Sequence, residues 1–166
     1  MTKVNGKNKG SNYERKIANL LSERFRDQTG LESSFRRNPD SGSYFGGQNQ
    51  KRTETHNLES AAFGDLICPK AFEFSIECKN YKTAPSFKSI LLQDNPQLDK
   101  WLSQASQDAA NSAKKMALVI KFNLVPDFVV LDHKPISINS PMIYKNFFIV
   151  TLIDWLTLPD HYFFTS

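Results

Sequence analysis

Cysteine is scarce in this chain: Cys68 and Cys78 are the only two in 166 residues. Two thiols cannot build the disulfide framework of a small cross-linked scaffold, so the fold has to rest on an apolar core. Both are expected to be buried as small apolar residues in a reducing compartment. No run of about 18 apolar residues occurs, which argues against a membrane-spanning helix. The first residues are polar and basic without an apolar stretch, so no secretory leader is predicted. Three histidines, His56, His133 and His161, lie too far apart in sequence to outline a zinc site. A glycine-rich nucleotide loop and internal repeats are also lacking.

The length suits one domain with a core of its own, and thirteen phenylalanines supply bulky material for it. Charge is unevenly spread. Residues 1–52 carry eleven Lys and Arg against five acids, a net of +6, whereas the remainder carries ten against twelve. A basic N-terminal third fits a polyanionic partner, with solvated surface lysines as the plain alternative.

Periodicity outlines the elements. Residues 1–9 read as a flexible basic arm and 10–166 as a single domain. Ser11-x-x-Glu14 reads as a capping box that opens a helix carrying Tyr13, Ile17, Leu20, Leu21 and Phe25 on one face, ending near residues 28–30. A short strand falls within 31–37. Residues 38–60 are loop-like, with Gly42, Gly46, Gly47 and a polar run. Runs 63–68 and 72–80 read as a hairpin, and 81–94 as an irregular connection. Asn95-Pro96 opens a second helix with Leu98, Trp101, Leu102, Ala105, Ala109 and Ala113 as its stripe and Lys114 and Lys115 in its last turn. Strands at 117–122, 128–132 and 147–152 and a short terminal helix complete an α/β order, which predicts a mixed β-sheet flanked by α-helices.

The chemistry concentrates in the presumed hairpin. Strand alternation puts Glu73, Ser75, Glu77 and Lys79 on one face and Phe72, Phe74, Ile76 and Cys78 on the other. Folding 63–68 back brings Asp65 towards Glu77. Two carboxylates and a lysine on one face can hold a hard divalent cation and assist attack on a phosphate. The bland reading is a turn aspartate and a surface ion pair on an edge strand. Glu14 borders the apolar stripe of the first helix, although the capping box would also account for it.

Asp65 with Glu77-x-Lys79 resembles the core motif of the PD-(D/E)XK nuclease superfamily. Lys9-Gly10-Ser11-Asn12-Tyr13-Glu14-Arg15 is similar to the opening of archaeal Holliday junction resolvases and their phage relatives, and Arg37-Asn38-Pro39-Asp40-Ser41-Gly42 to the loop that follows. The resemblance spans roughly residues 9–122 and implies a restriction-endonuclease-like fold. It implies Mg²⁺, with Mn²⁺ as substitute, held by Asp65, Glu77, Glu14 and the main-chain carbonyl of Cys78. It implies Lys79 as the group that aligns the attacking water, with Ser41 and Gln104 as further catalytic residues. Arg15, Arg36, Arg37, Ser41, Lys51, Arg52 and Lys82 are the expected DNA contacts.

The activity so implied is a metal-dependent endodeoxyribonuclease acting on branched DNA and leaving a 5′-phosphate and a 3′-hydroxyl. Symmetric cutting of a four-way junction calls for a homodimer, for which Phe147, Phe148, Phe163 and Phe164 are a candidate surface. The expected setting is the cytoplasm of a bacterial, archaeal or phage-infected cell. A nicking or restriction-like nuclease of the same fold, or a non-catalytic DNA-binding protein, are the other readings.

Overall fold

A computed structural model describes residues 6–39 and 63–165. Helix α1 (Gly6–Arg24) is followed by the short α2 (Arg26–Thr29) and by strand β1 (Arg36–Arg37). Strand β2 (Leu66–Ile67) pairs antiparallel with β1. Next come β3 (Phe74–Asn80), α3 (Phe87–Leu91), α4 (Pro96–Asn111), β4 (Lys115–Lys121) and β5 (Phe128–Leu131). The chain closes with β6 (Met142–Tyr144), β7 (Phe147–Thr151), α5 (Leu152–Leu156) and a 3₁₀ turn at Asp160–Tyr162.

The main sheet has five strands in the order β3-β4-β5-β7-β6. β3 and β4 are parallel, joined by the crossover through α3 and α4, and the other pairs are antiparallel. The expected mixed sheet flanked by helices is therefore present. Alternation along the strands sends side chains to two cores. Ile76, Cys78, Ala117, Val119, Val129 and Leu131 join Tyr13, Ile17, Leu21 and Phe25 of α1. Met116, Leu118, Ile120 and Val130 join Leu98, Trp101, Leu102 and Ala105 of α4. Asn95 caps α4 by accepting the Leu98 N–H at 2.8 Å, and Pro96 occupies its first turn, as the sequence predicts.

Four expectations need correction. α1 begins at Gly6, five residues ahead of Ser11 and inside the stretch read as an arm. Ser11 therefore lies within the helix and cannot cap it, because the orphan N–H groups belong to an earlier turn. α4 stops at Asn111, and Ala113 turns with φ 52°, so Lys114 leaves the helix and Lys115 opens β4. The presumed hairpin is not a ladder: β2 pairs with β1, and the segment before β2 merely abuts β3. The connection 81–94 contains α3, capped by Ser86 Oγ accepting the Ser89 N–H.

A fifth correction concerns Phe163 and Phe164. Both are buried, packed with Phe25, Phe72 and Phe74, with ring centroids 4.8 Å apart for Phe25–Phe163 and 5.1 Å for Phe25–Phe164. Closing the core against α1, they are not available as a dimer surface. Cys68 and Cys78 are buried and free, as expected. Among the described residues no helix is long and apolar enough to cross a membrane.

This packing sets a stability contrast. Phe72 is fully buried among Phe25, Phe35 and Phe163, whereas Leu124 is fully exposed. Phe72→Ala is expected to cost about 3–5 kcal/mol in urea unfolding, and Leu124→Ala to stay within about 0.5 kcal/mol. Equal effects from the two variants would contradict this core.

Candidate active site

The site is assembled at the outer edge of β3. Gly64 holds φ +82°, and a Cβ on it would lie 2.6 Å from the Ile76 carbonyl oxygen and 3.0 Å from Ser75 Oγ. Only glycine tolerates both the dihedral and this contact. The close approach lets the Asp65 N–H donate to the Ile76 carbonyl at 2.8 Å. Two residues along the same edge, the Cys78 N–H donates to Asp65 Oδ2, also at 2.8 Å. Asp65 thus takes the place of a neighbouring strand and satisfies edge groups that would otherwise be open.

Glu77 lies between Ile76 and Cys78 in the chain, and alternation turns its side chain to the α4 face. The register confirms this, with Glu77 opposite Leu118 and Lys79 opposite Ile120. Glu77 is 3% exposed and Asp65 8%, so neither belongs to a solvated surface pair. Lys79 Nζ donates to Glu77 Oε1 at 2.6 Å and to Gln104 Oε1 at 3.1 Å. Gln104 Nε2 donates to the same Glu77 oxygen at 2.7 Å. Asp65, Glu77, Lys79 and Gln104 are therefore brought together, as the sequence reading anticipated.

Electrostatics follow from this burial. Loss of solvent lifts the Asp65 carboxyl to about 6, opposed by the Cys78 N–H and reinforced by the nearby Glu14 charge. Burial, then the charge of Asp65, lifts Glu77 to about 8 against the pull of Lys79. Lys79 loses hydration too, but its contact with Glu77 outweighs that loss and raises its pKa. The Cys78 thiol is pushed well up by burial and by the flanking carboxylates, which leaves it inert.

Sequence reading missed Asp108. It follows Gln104 by one helical turn, and its charge is felt by both Asp65 and Glu77. Burial raises its own pKa, with Lys79 opposing. The signal was available in the i, i+4 spacing on α4.

Glu14 comes from α1 and is near enough for its charge to act on Asp65. It accepts from Arg37 Nε at 2.6 Å. Next to it, Tyr13 Oη donates to Asp127 Oδ2 at 3.1 Å and anchors α1 to the sheet. Among the described residues no group of three His, Cys, Asp or Glu side chains gathers closely enough to hold a metal ion. The donor set that does converge is the two carboxylates, Asp65 and Glu77, beside the Cys78 main chain. Such a hard, oxygen-only set suits Mg²⁺, which is commonly held by one or two carboxylates and keeps several waters.

The expected DNA contacts are dispersed. Arg15, Arg36 and Lys82 are exposed, with Arg15 donating to Asn12 at 3.1 Å. Arg37 is engaged with Glu14. Ser41, Lys51 and Arg52 lie outside the described residues.

Comparison with known proteins bears on this site. Residues 5–157 match the family model described as "Phage putative PDDEXK endonuclease". No curated protein and no solved structure matches the chain.

The raised carboxyls carry a pH signature. A carboxyl whose folded pKa exceeds its unfolded value makes the folded state the better proton binder, so its stabilising contribution is full in acid and lost as pH rises. In a chelator, stability should therefore fall as pH climbs through about 6 and then about 8. Glu77→Gln should flatten the upper part of that fall in thermal unfolding followed across pH. A variant with the wild-type slope would contradict the assignment.

Proposed function

This chain belongs to the phage PDDEXK endonuclease family, and on that premise we propose that it is a metal-dependent endodeoxyribonuclease whose active site is the β3 edge. The observation that carries the reading is the buried pairing of Asp65 and Glu77, with Lys79 at 2.6 Å from Glu77. A passive DNA-binding protein has no use for two mutually repelling carboxylates held out of water. They fit Mg²⁺, with Mn²⁺ as substitute, held by Asp65, Glu77 and the Cys78 carbonyl, with Glu14 assisting. When bound, the cation supplies Lewis-acid polarisation of the phosphate and lowers the pKa of water.

The remaining work falls to the chain's own groups. Lys79 orients the attacking water and stabilises negative charge that builds on the phosphate in the transition state. Gln104 holds Lys79 and Glu77 in one geometry by accepting from the first and donating to the second. The Cys78 N–H fixes the Asp65 carboxylate. Arg15, Arg36 and Lys82 are exposed cations suited to phosphate contacts, which position DNA without reading its bases. Ser41, Lys51 and Arg52 complete the proposed contact set. The similarity of residues 9–15 to junction resolvases supports branched DNA as substrate and a two-fold dimer as the cutting species.

Cleavage assays test this directly. Asp65→Asn, Glu77→Gln and Lys79→Ala should each lower the cleavage rate by about 10²–10³ or more while DNA binding survives. Excess chelator should abolish cutting, and full cleavage in chelator would overturn the metal mechanism. A synthetic four-way junction should be cut at symmetric positions in preference to linear duplex. Equal cutting of both by a monomer would remove the junction preference and leave the nuclease reading intact.

A further inference from the structure

Arg37 closes β1 and Asn38 follows it, yet they reach different parts of the chain, Arg37 the Glu14 carboxylate and Asn38 the backbone carbonyls of Gly64 and Asp65. Arg37 Nε donates to Glu14 Oε2 at 2.6 Å, and the two side chains are only 20% and 12% exposed. Asn38 is 5% exposed. Its side-chain Nδ2 donates to the Gly64 carbonyl at 3.0 Å, and its backbone N–H donates to the Asp65 carbonyl at 2.8 Å. The antiparallel register that places Arg37 opposite Leu66 puts Asn38 beside this step.

Asp65 is consequently held at three points. Its N–H is taken by Ile76, its side chain by the Cys78 N–H and its carbonyl by Asn38. The preceding peptide, whose glycine has no side chain to lock it, is held by the Asn38 amide. Glu14 sits on a helix that Tyr13 and Asp127 already anchor, so its bond to Arg37 bears on the carboxylate rather than on where the helix lies. The neighbouring Arg36 is exposed, as alternation requires, while Arg37 is half-buried. An arginine that reads phosphate presents its guanidinium fork outward. Here Arg37 is turned onto a carboxylate of the same chain.

We infer that Arg37 and Asn38 form a positioning pair, Arg37 acting through Glu14 and Asn38 through the Gly64–Asp65 peptide, so that the end of β1 and the residue after it set the spacing of two acidic groups contributed by separate elements. The inference rests on the active-site reading above and deepens it. It replaces Arg37 as a DNA contact and adds Asn38 as a residue of the site. The Glu14 charge also raises the proton affinity of Asp65, as expected for acids brought near each other.

The test is a double-mutant cycle on the full chain with two readouts that need no turnover. Mn²⁺ binding is measured by calorimetry without DNA, and the salt dependence of DNA binding is measured without divalent metal. Arg37→Gln should weaken Mn²⁺ binding about 10–100-fold, the usual effect of losing a group that orients a ligand. Its salt slope should match wild type. Glu14→Gln together with Arg37→Gln should bind Mn²⁺ as Glu14→Gln alone does, because both act through one carboxylate. Asn38→Ala should weaken Mn²⁺ binding further in the Glu14→Gln background, since its side chain holds the Gly64 carbonyl of the peptide that carries Asp65, a different path from Glu14.

Thermal unfolding reports whether each variant folds. Where Arg37→Gln does not, Arg37→Lys takes its place, keeping the charge without the planar fork. A salt slope reduced by about one with Mn²⁺ binding unchanged would make Arg37 a phosphate contact and overturn the inference. Multiplicative effects of Arg37→Gln and Glu14→Gln would overturn it as well. Failure of the underlying site reading has a separate signature: Asp65→Asn would retain Mn²⁺ binding.

Discussion

Everything at this site depends on one close approach, that of Gly64 to the backbone of β3. With a Cβ only 2.6 Å from the Ile76 oxygen, any side chain at position 64 would push the segment off the edge strand. The hydrogen bonds from Asp65 N–H to Ile76 and from Cys78 N–H to Asp65 Oδ2 would be lost with it. The approach also explains how an edge strand buried on both faces avoids leaving open ladder groups, and why a carboxylate occupies that edge.

The electrostatic cost of this arrangement is real and locally offset. Asp65 and Glu77 lose hydration and repel each other, and Asp108 adds to the repulsion. Lys79 and Gln104 on one side, and Arg37 at Glu14 on the other, contribute charge and donors that keep the folded state viable. None of these contacts would be chosen for stability alone, since buried ion pairs roughly break even against apolar packing. Local rules are broken here and obeyed in the two cores, which is the pattern expected of a functional site.

Much of this was legible in the residues. The apolar stripe of α1, the Asn95-Pro96 start of α4 and the alternation of β3 all follow from periodicity and capping, and each is found in place. Asp65, Glu77, Lys79 and Gln104 could be nominated from motif resemblance and strand alternation, and they converge. The failures share a cause. Ser11 carries a capping pattern, but an earlier start to α1 leaves that pattern inside the helix, and local sequence does not reveal which start wins. The pairing of β2 with β1 instead of β3, the Glu14–Arg37 contact across 23 residues and the burial of Phe163 and Phe164 are long-range outcomes. No short window of sequence encodes them. Asp108 was the exception, visible in its spacing from Gln104 and passed over.

The central claim is that the edge of β3 carries a divalent-cation site formed by Asp65 and Glu77. Anomalous diffraction from crystals soaked in Mn²⁺ tests it most directly. The account predicts a peak between the Asp65 and Glu77 carboxylates, within reach of the Cys78 carbonyl, that disappears in Asp65→Asn. A Mn²⁺ peak elsewhere on the molecule, with none at this pair, would contradict it.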